Sequence, residues 1–258
     1  MGEHGTWFDY LNRFDWWRSL DHKAEQLLGR KWQWQMFGES GWSLTHVLIT
    51  LTAVLFVAWG AIAFFRGTRT KDKGIVPPRK MNLRNFFEFL AESLFGFVEG
   101  AMGEKHARRF YPLIGSLFLF ILFNNMFALL PGFSAPTDTL KTNVGLALLV
   151  FLLTHIYGVR EHGLAYFKHF LGPSPVLIPL MLPIEIVSHL ARPVSLSVRL
   201  MGNMMADHKV VMSFFALVPI LVPLPFMLLG LLVVFIQALV FCTLACVYIG
   251  MAIEHEEH

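Results

Sequence analysis

The part of this chain from Tyr111 to His258 is almost free of charged side chains. It contains only 13 of the 39 Asp, Glu, Lys and Arg residues of the protein. Charged residues make up 15% of the whole chain and hydrophobic residues 55%, whereas soluble domains carry about 25% charged residues. In hydrocarbon each segment must satisfy its own backbone groups, which a helix does. We therefore predict an all-α integral membrane protein.

Composition and motifs exclude several other classes of protein. The net charge is only +3, and the basic run at residues 66–84 adjoins an apolar segment, which argues against nucleic-acid binding. The sequence has no Walker-type phosphate loop and no nucleophile elbow, so neither nucleotide binding nor acyl transfer is predicted. Cys242 and Cys246 lie in an apolar stretch and are expected to be small helix-face hydrophobes, so no metal, cofactor or disulfide is expected. The N-terminus lacks the apolar core of a signal peptide and is expected to be retained.

Five or six membrane helices are predicted by searching for runs of about 20 apolar residues between polar flanks. The predicted spans are residues 44–65, 112–130, 142–159, 176–217 and 226–253. Residues 85–102 intersperse acidic side chains among apolar ones, which predicts an amphipathic hairpin or an interfacial helix. Residues 1–42 are predicted to form an N-terminal extramembrane segment, and residues 43–258 the membrane domain.

The last two predicted spans are too long to cross a bilayer upright. As a single helix, residues 176–217 would extend about 63 Å, twice the ~30 Å thickness of the hydrocarbon. We expect two long, steeply tilted C-terminal helices. Pro183 and Pro193 are candidate kinks in the first of them, because proline removes a backbone donor.

The distribution of basic residues predicts the orientation. Ten Lys and Arg residues lie between the first span and the span that begins near Pro112. Residues 1–42, by contrast, contain five Lys and Arg residues, and their charge is offset by six acidic residues. Basic loops remain in the cytoplasm. We therefore predict that the N-terminus lies outside and that five crossings leave the C-terminus in the cytoplasm.

One face of the helix predicted for residues 176–217 is polar along its length. Spacings of four, three, seven, four and four residues place on this face Glu185, His189, Arg192, Arg199, Asn203 and Asp207. An arginine at mid-membrane costs about 2.5–3.5 kcal/mol and therefore needs a compensating partner. Arg199 belongs either to an ion pathway or to an ion pair with Asp207 or Glu185 that holds helices together.

Two further polar residues accompany this face. His208 follows Asp207, and neighbouring carboxylates and imidazoles build proton relays, although a single histidine is more often structural. Gln237 is the outstanding polar residue of the final span, where an interhelical hydrogen bond worth about 0.6–2 kcal/mol is the simplest interpretation. These residues leave three functions open, namely ion translocation, a proton-coupled secondary transporter and a structural membrane scaffold. Inverted repeats, which many secondary transporters have, are not evident.

Residues 188–206 resemble the signature of subunit a of bacterial F-type ATP synthases, whose centre here is Pro-Val-Ser-Leu-x-x-Arg-Leu-x-Gly-Asn-Met. Pro183-Ile-Glu upstream, Gln237-Ala-x-Val-Phe, and the ending Tyr248-Ile-Gly-Met-Ala-Ile-Glu support the resemblance. It implies a stationary, non-catalytic subunit of a rotary ATP synthase that carries protons or sodium ions through two half-channels to and from the carboxylates of a c-subunit ring. It also implies the b subunits of the peripheral stalk and the lipid bilayer as partners, and the bacterial inner membrane as location.

The resemblance also implies roles for individual residues. Arg199 matches the essential arginine of the family, Asn203 and Gln237 match the polar residues that flank it, and Glu185 matches the acidic residue toward the cytoplasmic exit. His189 and Arg192 are secondary candidates.

Four positions depart from the family pattern. Asp207 and His208 replace the usual Gly-Glu, Gly230 occupies a position that holds histidine or glutamate in some members, and Ala128 replaces a common acidic residue. We expect Asp207 and His208 together to replace the cross-helix pair of acid and histidine.

Overall fold

The computed structural model describes residues 14–28, 44–68, 83–129, 136–163, 166, 178–217 and 223–253. The described segments contain α-helices and a short 3-10 turn, Pro136–Asp138, and this result confirms the predicted all-α class. The helices are α1 (Asp15–Leu28), α2 (Leu44–Thr68), α3 (Leu83–Ala128), α4 (Leu140–His162), α5 (Ile178–Leu217) and α6 (Pro223–Ile253).

Helix α3 is a hairpin that folds back at Gly103. This residue has φ 74° and ψ 157°, a combination that glycine adopts without the steric cost of a Cβ atom. The two arms lie side by side, because the Tyr111 hydroxyl donates to the Ala91 carbonyl at 2.9 Å and the Phe87 and Phe123 rings stack at 5.9 Å. Residues 85–102, predicted to be an amphipathic hairpin or an interfacial helix, are therefore the first arm of a longer helical hairpin, and the span predicted to begin at Pro112 belongs to its second arm.

Helix α5 is continuous over 40 residues, with Pro183 and Pro193 inside it. The two prolines, expected as candidate kinks, do not end the helix. An unbroken helix of this length extends about 60 Å, so steep inclination is the way left to fit it within a bilayer. Helix α6 has 31 residues and extends about 46 Å by the same rise.

The core lies where the second arm of α3 meets α4, α5 and α6. Its largest fully buried side chains include Phe110, Phe118, Ile121, Leu200, Phe241 and Ile249. Outward-facing positions are apolar too, as Val187 on α5 and Leu224 on α6 are 65% and 69% exposed. Cys242 and Cys246 are fully buried and unpaired, as predicted.

Among the described residues, three helical stretches are long and apolar enough to cross a membrane. They are Asn85–Phe127, which contains both arms of the hairpin, Leu140–His162 and Leu224–Ile253. The apolar stretch Val47–Ile62 in α2 is shorter. These stretches indicate a protein that crosses the membrane several times, and the count of five crossings remains a prediction.

Close packing between α2 and the hairpin depends on Gly60. A Cβ atom built at Gly60 would overlap the Phe87 ring, which is itself buried at 8% exposure. We expect Gly60→Ala to lower the free energy of unfolding by about 1–3 kcal/mol, because the Phe87 ring must shift. The measurement is the temperature of half-unfolding in detergent. Gly96→Ala is the control, since a Cβ atom there meets nothing within 4 Å, and equal losses in both variants would contradict the expectation.

Candidate ion-translocation site

The predicted polar face lies along α5, which packs between α4 and α6. Five of its six side chains are half-buried and Arg199 is exposed. The half-buried residues are Glu185, His189, Arg192, Asn203 and Asp207. The polar face therefore lies at the edge of the buried surface of α5. Its side chains pack against the protein on one side and are accessible from outside the protein on the other.

Arg199 makes no ion pair with any of the described residues. Glu185 lies 14 positions away, about 21 Å along the helix, and Asp207 lies eight positions away, about 12 Å. Both separations exceed the reach of a salt bridge on one straight helix. Glu185 instead contacts His189, with 3.2 Å between Oε1 and Nε2. The interpretation of Arg199 as an ion pair with Asp207 or Glu185 therefore has no support in the structure.

One helical turn from Arg199, Asn203 is tied to the last helix. Its Nδ2 donates to Oε1 of Gln237 at 2.6 Å, across 34 residues of sequence. Gln237 is 4% exposed, so this bond is shielded from competing water and positions both amides. The interhelical hydrogen bond expected for Gln237 is therefore present, and its partner is a member of the polar face.

The end of the polar face near Glu185 meets α4 and α6. The His155 ring on α4 lies 5.4 Å from the His189 ring on α5. The Arg192 guanidinium stacks over the Tyr248 ring on α6 at 5.1 Å, an attraction that holds the cation in place. Sequence reasoning did not identify His155, because no pattern within α4 indicates which histidine of α5 it faces.

The opposite end of the face contains Asp207 and His208. Oδ2 of Asp207 is buried and accepts no hydrogen bond from the described residues. Burying a carboxylate oxygen without a donor is costly, so this atom is suited to receive a water molecule or a proton. The side chain of His208 lies outside the described residues.

A second buried polar cluster, which sequence reasoning also missed, lies beside this end. The Thr137 hydroxyl donates to Oδ1 of Asn125, and Nδ2 of Asn143 donates to the Thr137 carbonyl at 2.7 Å. Asn124, Asn125, Thr137 and Asn143 are completely buried. The adjacent asparagines in an apolar run were the available signal, but their neighbours come from the turn and α4.

This amide cluster retains unused hydrogen-bonding capacity. Oδ1 of Asn124, Nδ2 of Asn125 and Oδ1 of Asn143 are buried without a partner among the described residues. Buried polar atoms of this kind are normally satisfied by ordered water. The 3-10 turn that carries Thr137 packs against α5.

Comparison with known proteins identifies the family. The family described as ATP synthase A chain matches residues 47–250. Subunit a 1 of ATP synthase from Syntrophotalea carbinolica is 55% identical over 172 residues, which are 67% of this chain and 73% of that protein. Subunit a from Bdellovibrio bacteriovorus is 43% identical over 218 residues, 84% of this chain and 94% of that protein. Subunit a from Sulfurihydrogenibium is 41% identical over 213 residues, 83% and 99% of the two chains.

The chain belongs to the ATP synthase subunit a family. Subunit a is a non-catalytic, proton-translocating membrane component of the synthase. The resemblance inferred from the arginine motif is thereby confirmed.

One departure from the subunit a pattern has a clear physical cause. A Cβ atom built at Gly230 on α6 would lie 2.9 Å from Cδ2 of Leu129. A histidine or glutamate at this position would therefore displace Leu129.

Proposed function

We propose that this chain is the stationary subunit that carries protons through two offset half-channels to and from the carboxylates of a rotating c ring. The observation that carries the proposal is the position of Arg199. It is an exposed cation on a membrane helix, and none of the described residues neutralises it. Such a charge requires a partner of opposite sign, and a deprotonated ring carboxylate meets that requirement.

The surface around Arg199 suits a moving partner. Ser195 and Gly202 precede and follow it by one helical turn and are both exposed. Residues three and four apart are neighbours on a helix, so the arginine is flanked by small side chains. Small residues allow a second helix to approach closely and slide past. Asn203, held by Gln237, lies one helical turn from the arginine.

Polar groups at the two ends of α5 support two separate aqueous routes. Glu185 lies about 21 Å and His189 about 15 Å from Arg199 on one side, and Asp207 lies about 12 Å from it on the other. Arg199 therefore stands between the routes. A fixed cation repels protons that would pass directly from one route to the other. A proton must therefore bind to a ring carboxylate and be carried between the routes by rotation of the ring.

We assign the route that contains Asp207 and His208 to the outside. The unused amide groups of Asn125 and Asn143 support a hydrated path leading to it. With the N-terminus outside and the C-terminus cytoplasmic, α5 ends at the outer surface, and Glu185 lies on the cytoplasmic side. The bacterial inner membrane is the location, and the b subunits of the peripheral stalk are further partners that keep the chain stationary.

Cross-linking tests the contact with the ring. One cysteine is introduced as Ser195→Cys, one turn from Arg199, and a second on the outer helix of the ring subunit. The complete complex with ring and catalytic head is then purified and treated with a short bifunctional thiol reagent. We expect a covalent product of this chain with a ring subunit. The native cysteines add no background, because both are fully buried.

The matched control is Leu152→Cys on α4, which is 51% exposed but lies away from the polar face. It is expected to give no product with the ring. A product from Leu152→Cys that equals the product from Ser195→Cys would contradict the assigned surface, as would an assembled complex that yields no product from Ser195→Cys.

A further inference from the structure

One side of α4 is an apolar stripe with a basic residue at each end. The stripe consists of four side chains at four-residue spacing, each between 44% and 51% exposed, namely Val144, Leu148, Leu152 and Ile156. Residues four apart are neighbours on a helix, so these side chains form a continuous surface. Lys141 precedes the apolar stripe and Arg160 follows it, and both are exposed.

The length of this surface matches the membrane. Lys141 and Arg160 are 19 positions apart, which is about 28 Å along a helix axis. The hydrocarbon layer is ~30 Å thick, and lysine and arginine side chains near the ends of membrane helices extend to the headgroups. The apolar stripe therefore has the dimensions of a surface that faces lipid, and Arg160 lies at the headgroup level of one leaflet.

At this level α4 meets a second cation, from the hairpin. The Arg109 guanidinium on the second arm of α3 lies 5.2 Å from the centre of the Tyr157 ring, and its Nη1 is 3.4 Å from Oε2 of Glu161. Around the axis of α4, Arg160 lies about 60° from Tyr157 on one side and about 40° from Ile156 on the other. Arg160 therefore stands between the apolar stripe and the place where Arg109 is held.

The side chains gathered here carry more positive than negative charge. Lys105 lies one turn before Arg109 on the same side of α3 and is exposed. Among the described residues, neither Lys105 nor Arg160 makes an ion pair. The basic group formed by Lys105, Arg109 and Arg160 is contacted by the carboxylate of Glu161, so three cations and one anion leave a net charge of two for these four side chains.

The guanidinium groups also have donors to spare. Arg109 approaches Glu161 through one nitrogen, whereas a guanidinium carries five N–H donors. Its planar arrangement of donors fits the oxygens of a phosphate. At the headgroup level of a membrane, phosphates are the anions that surround the protein, and basic groups between membrane helices bind anionic headgroups.

We propose that the basic group and the apolar stripe together form a binding site for one anionic phospholipid. Its acyl chains lie along the apolar stripe of α4, and its phosphate contacts Lys105, Arg109 and Arg160. A neutral headgroup would leave the excess positive charge unbalanced, whereas an anionic headgroup offsets it. The lipid belongs to the leaflet at the C-terminal end of α4, which the distribution of basic residues predicts to be the cytoplasmic one.

Fluorescence quenching in the complete synthase tests the site. Ile156→Cys, one turn from Arg160, is labelled with a small thiol-reactive fluorophore after other accessible thiols of the complex have been replaced by serine. The complex is reconstituted in phosphatidylcholine vesicles that contain brominated phosphatidylglycerol or, in parallel, brominated phosphatidylcholine as quencher. We expect phosphatidylglycerol to associate at the label about fivefold or more strongly than phosphatidylcholine, because each basic residue near an anionic surface contributes about fivefold.

Charge variants identify the residues that cause the preference. Lys105→Gln combined with Arg160→Gln removes two of the three cations and is expected to bring the ratio of the two association constants close to one. Arg108→Gln is the matched control, since it removes a charge from the same turn of α3. Arg108 is already paired with Glu104 at 2.9 Å, so this variant should keep most of the preference. Equal losses in both would indicate a general effect of surface charge and overturn the site.

A second labelled position controls for depth in the membrane. Val144→Cys lies near the other end of the apolar stripe, three positions from Lys141, and Val144 is 44% exposed. Its distance from the nearest basic residue resembles that of Ile156, but a single cation lies there on α4. We expect a smaller preference for phosphatidylglycerol at this position than at Ile156→Cys, and an equal preference at both would contradict a site at the basic group.

Two further outcomes would overturn the proposal. Equal quenching by the two lipids at Ile156→Cys would show that the headgroup charge is not recognised. Absence of quenching by either lipid would show that a protein subunit, not lipid, covers the apolar stripe. Neither outcome bears on Arg199 or on the contact with the ring, because the lipid site lies on α3 and α4 and is tested without proton pumping.

Discussion

Replacing Arg199 with alanine is expected to abolish ATP-driven proton pumping by a complex that still assembles. Each ring carboxylate must lose its proton to pass from one half-channel to the other, and Arg199 supplies the compensating charge at that moment. An unpaired charge at mid-membrane costs about 2.5–3.5 kcal/mol, which corresponds to about 100-fold or more in rate. The measurement is acidification of proteoliposomes together with the subunit composition of the purified complex.

The control for Arg199→Ala is Val198→Ala, which removes exposed side-chain volume from the adjacent position of the same helix. Val198 is 43% exposed and carries no charge, so pumping should be preserved. Failure of the Arg199→Ala complex to assemble would favour the scaffold interpretation, in which the arginine only holds helices together. Normal pumping by the assembled variant would refute an essential role for the cation.

The second large effect is expected when Asp207 and His208 are replaced together by alanine. Successive groups on this part of α5, namely Arg199, Asn203 and Asp207, lie about 6 Å apart along the axis, a gap that one water can bridge. Removing the acid and the adjacent imidazole leaves neither a carboxylate nor an imidazole in this turn, and Gly230 on α6 supplies neither. We expect pumping to fall at least tenfold, as the loss of a proton-transferring group commonly costs 10²–10⁴-fold.

Lys209→Ala provides the comparison for this double variant. Lys209 is exposed and adjacent in sequence, so the change removes a charge from the same turn without touching the acid. Its pumping should stay near that of the unaltered complex. A double variant that pumps normally would refute the hypothesis that Asp207 and His208 together replace the cross-helix pair of the family.

Four of the five predicted spans agree with observed helices within a few residues, whereas the separately predicted segments 85–102 and 112–130 belong to the single hairpin helix α3. The fourth predicted span, 176–217, is observed as Ile178–Leu217, and the last, 226–253, as Pro223–Ile253. Long apolar runs specify helices because hydrocarbon leaves the backbone no other partner. The two prolines do not end α5, which continues through Pro183 and Pro193.

The candidate site was predictable only along one helix at a time. Helical spacing correctly places the polar residues of α5 on one face, and their functional roles remain predictions. The bond from Asn203 to Gln237 joins residues 34 positions apart, and His155 reaches α5 from α4. Periodicity describes a helix about its own axis and carries no information on how neighbouring helices are rotated against it.

The sequence by itself determined that this chain is a helical membrane protein of the ATP synthase subunit a family, with an arginine on a polar helix face. The length of an apolar run and the spacing of polar residues are properties of single segments. They can therefore be determined from the sequence without knowledge of the fold. Only the tertiary structure decided that Arg199 has no counter-ion among the described residues, that Leu129 lies beside Gly230, and that buried amides gather around Thr137. Those facts depend on which side chains from distant segments become neighbours. Close packing determines these neighbours only when all the helices are in place.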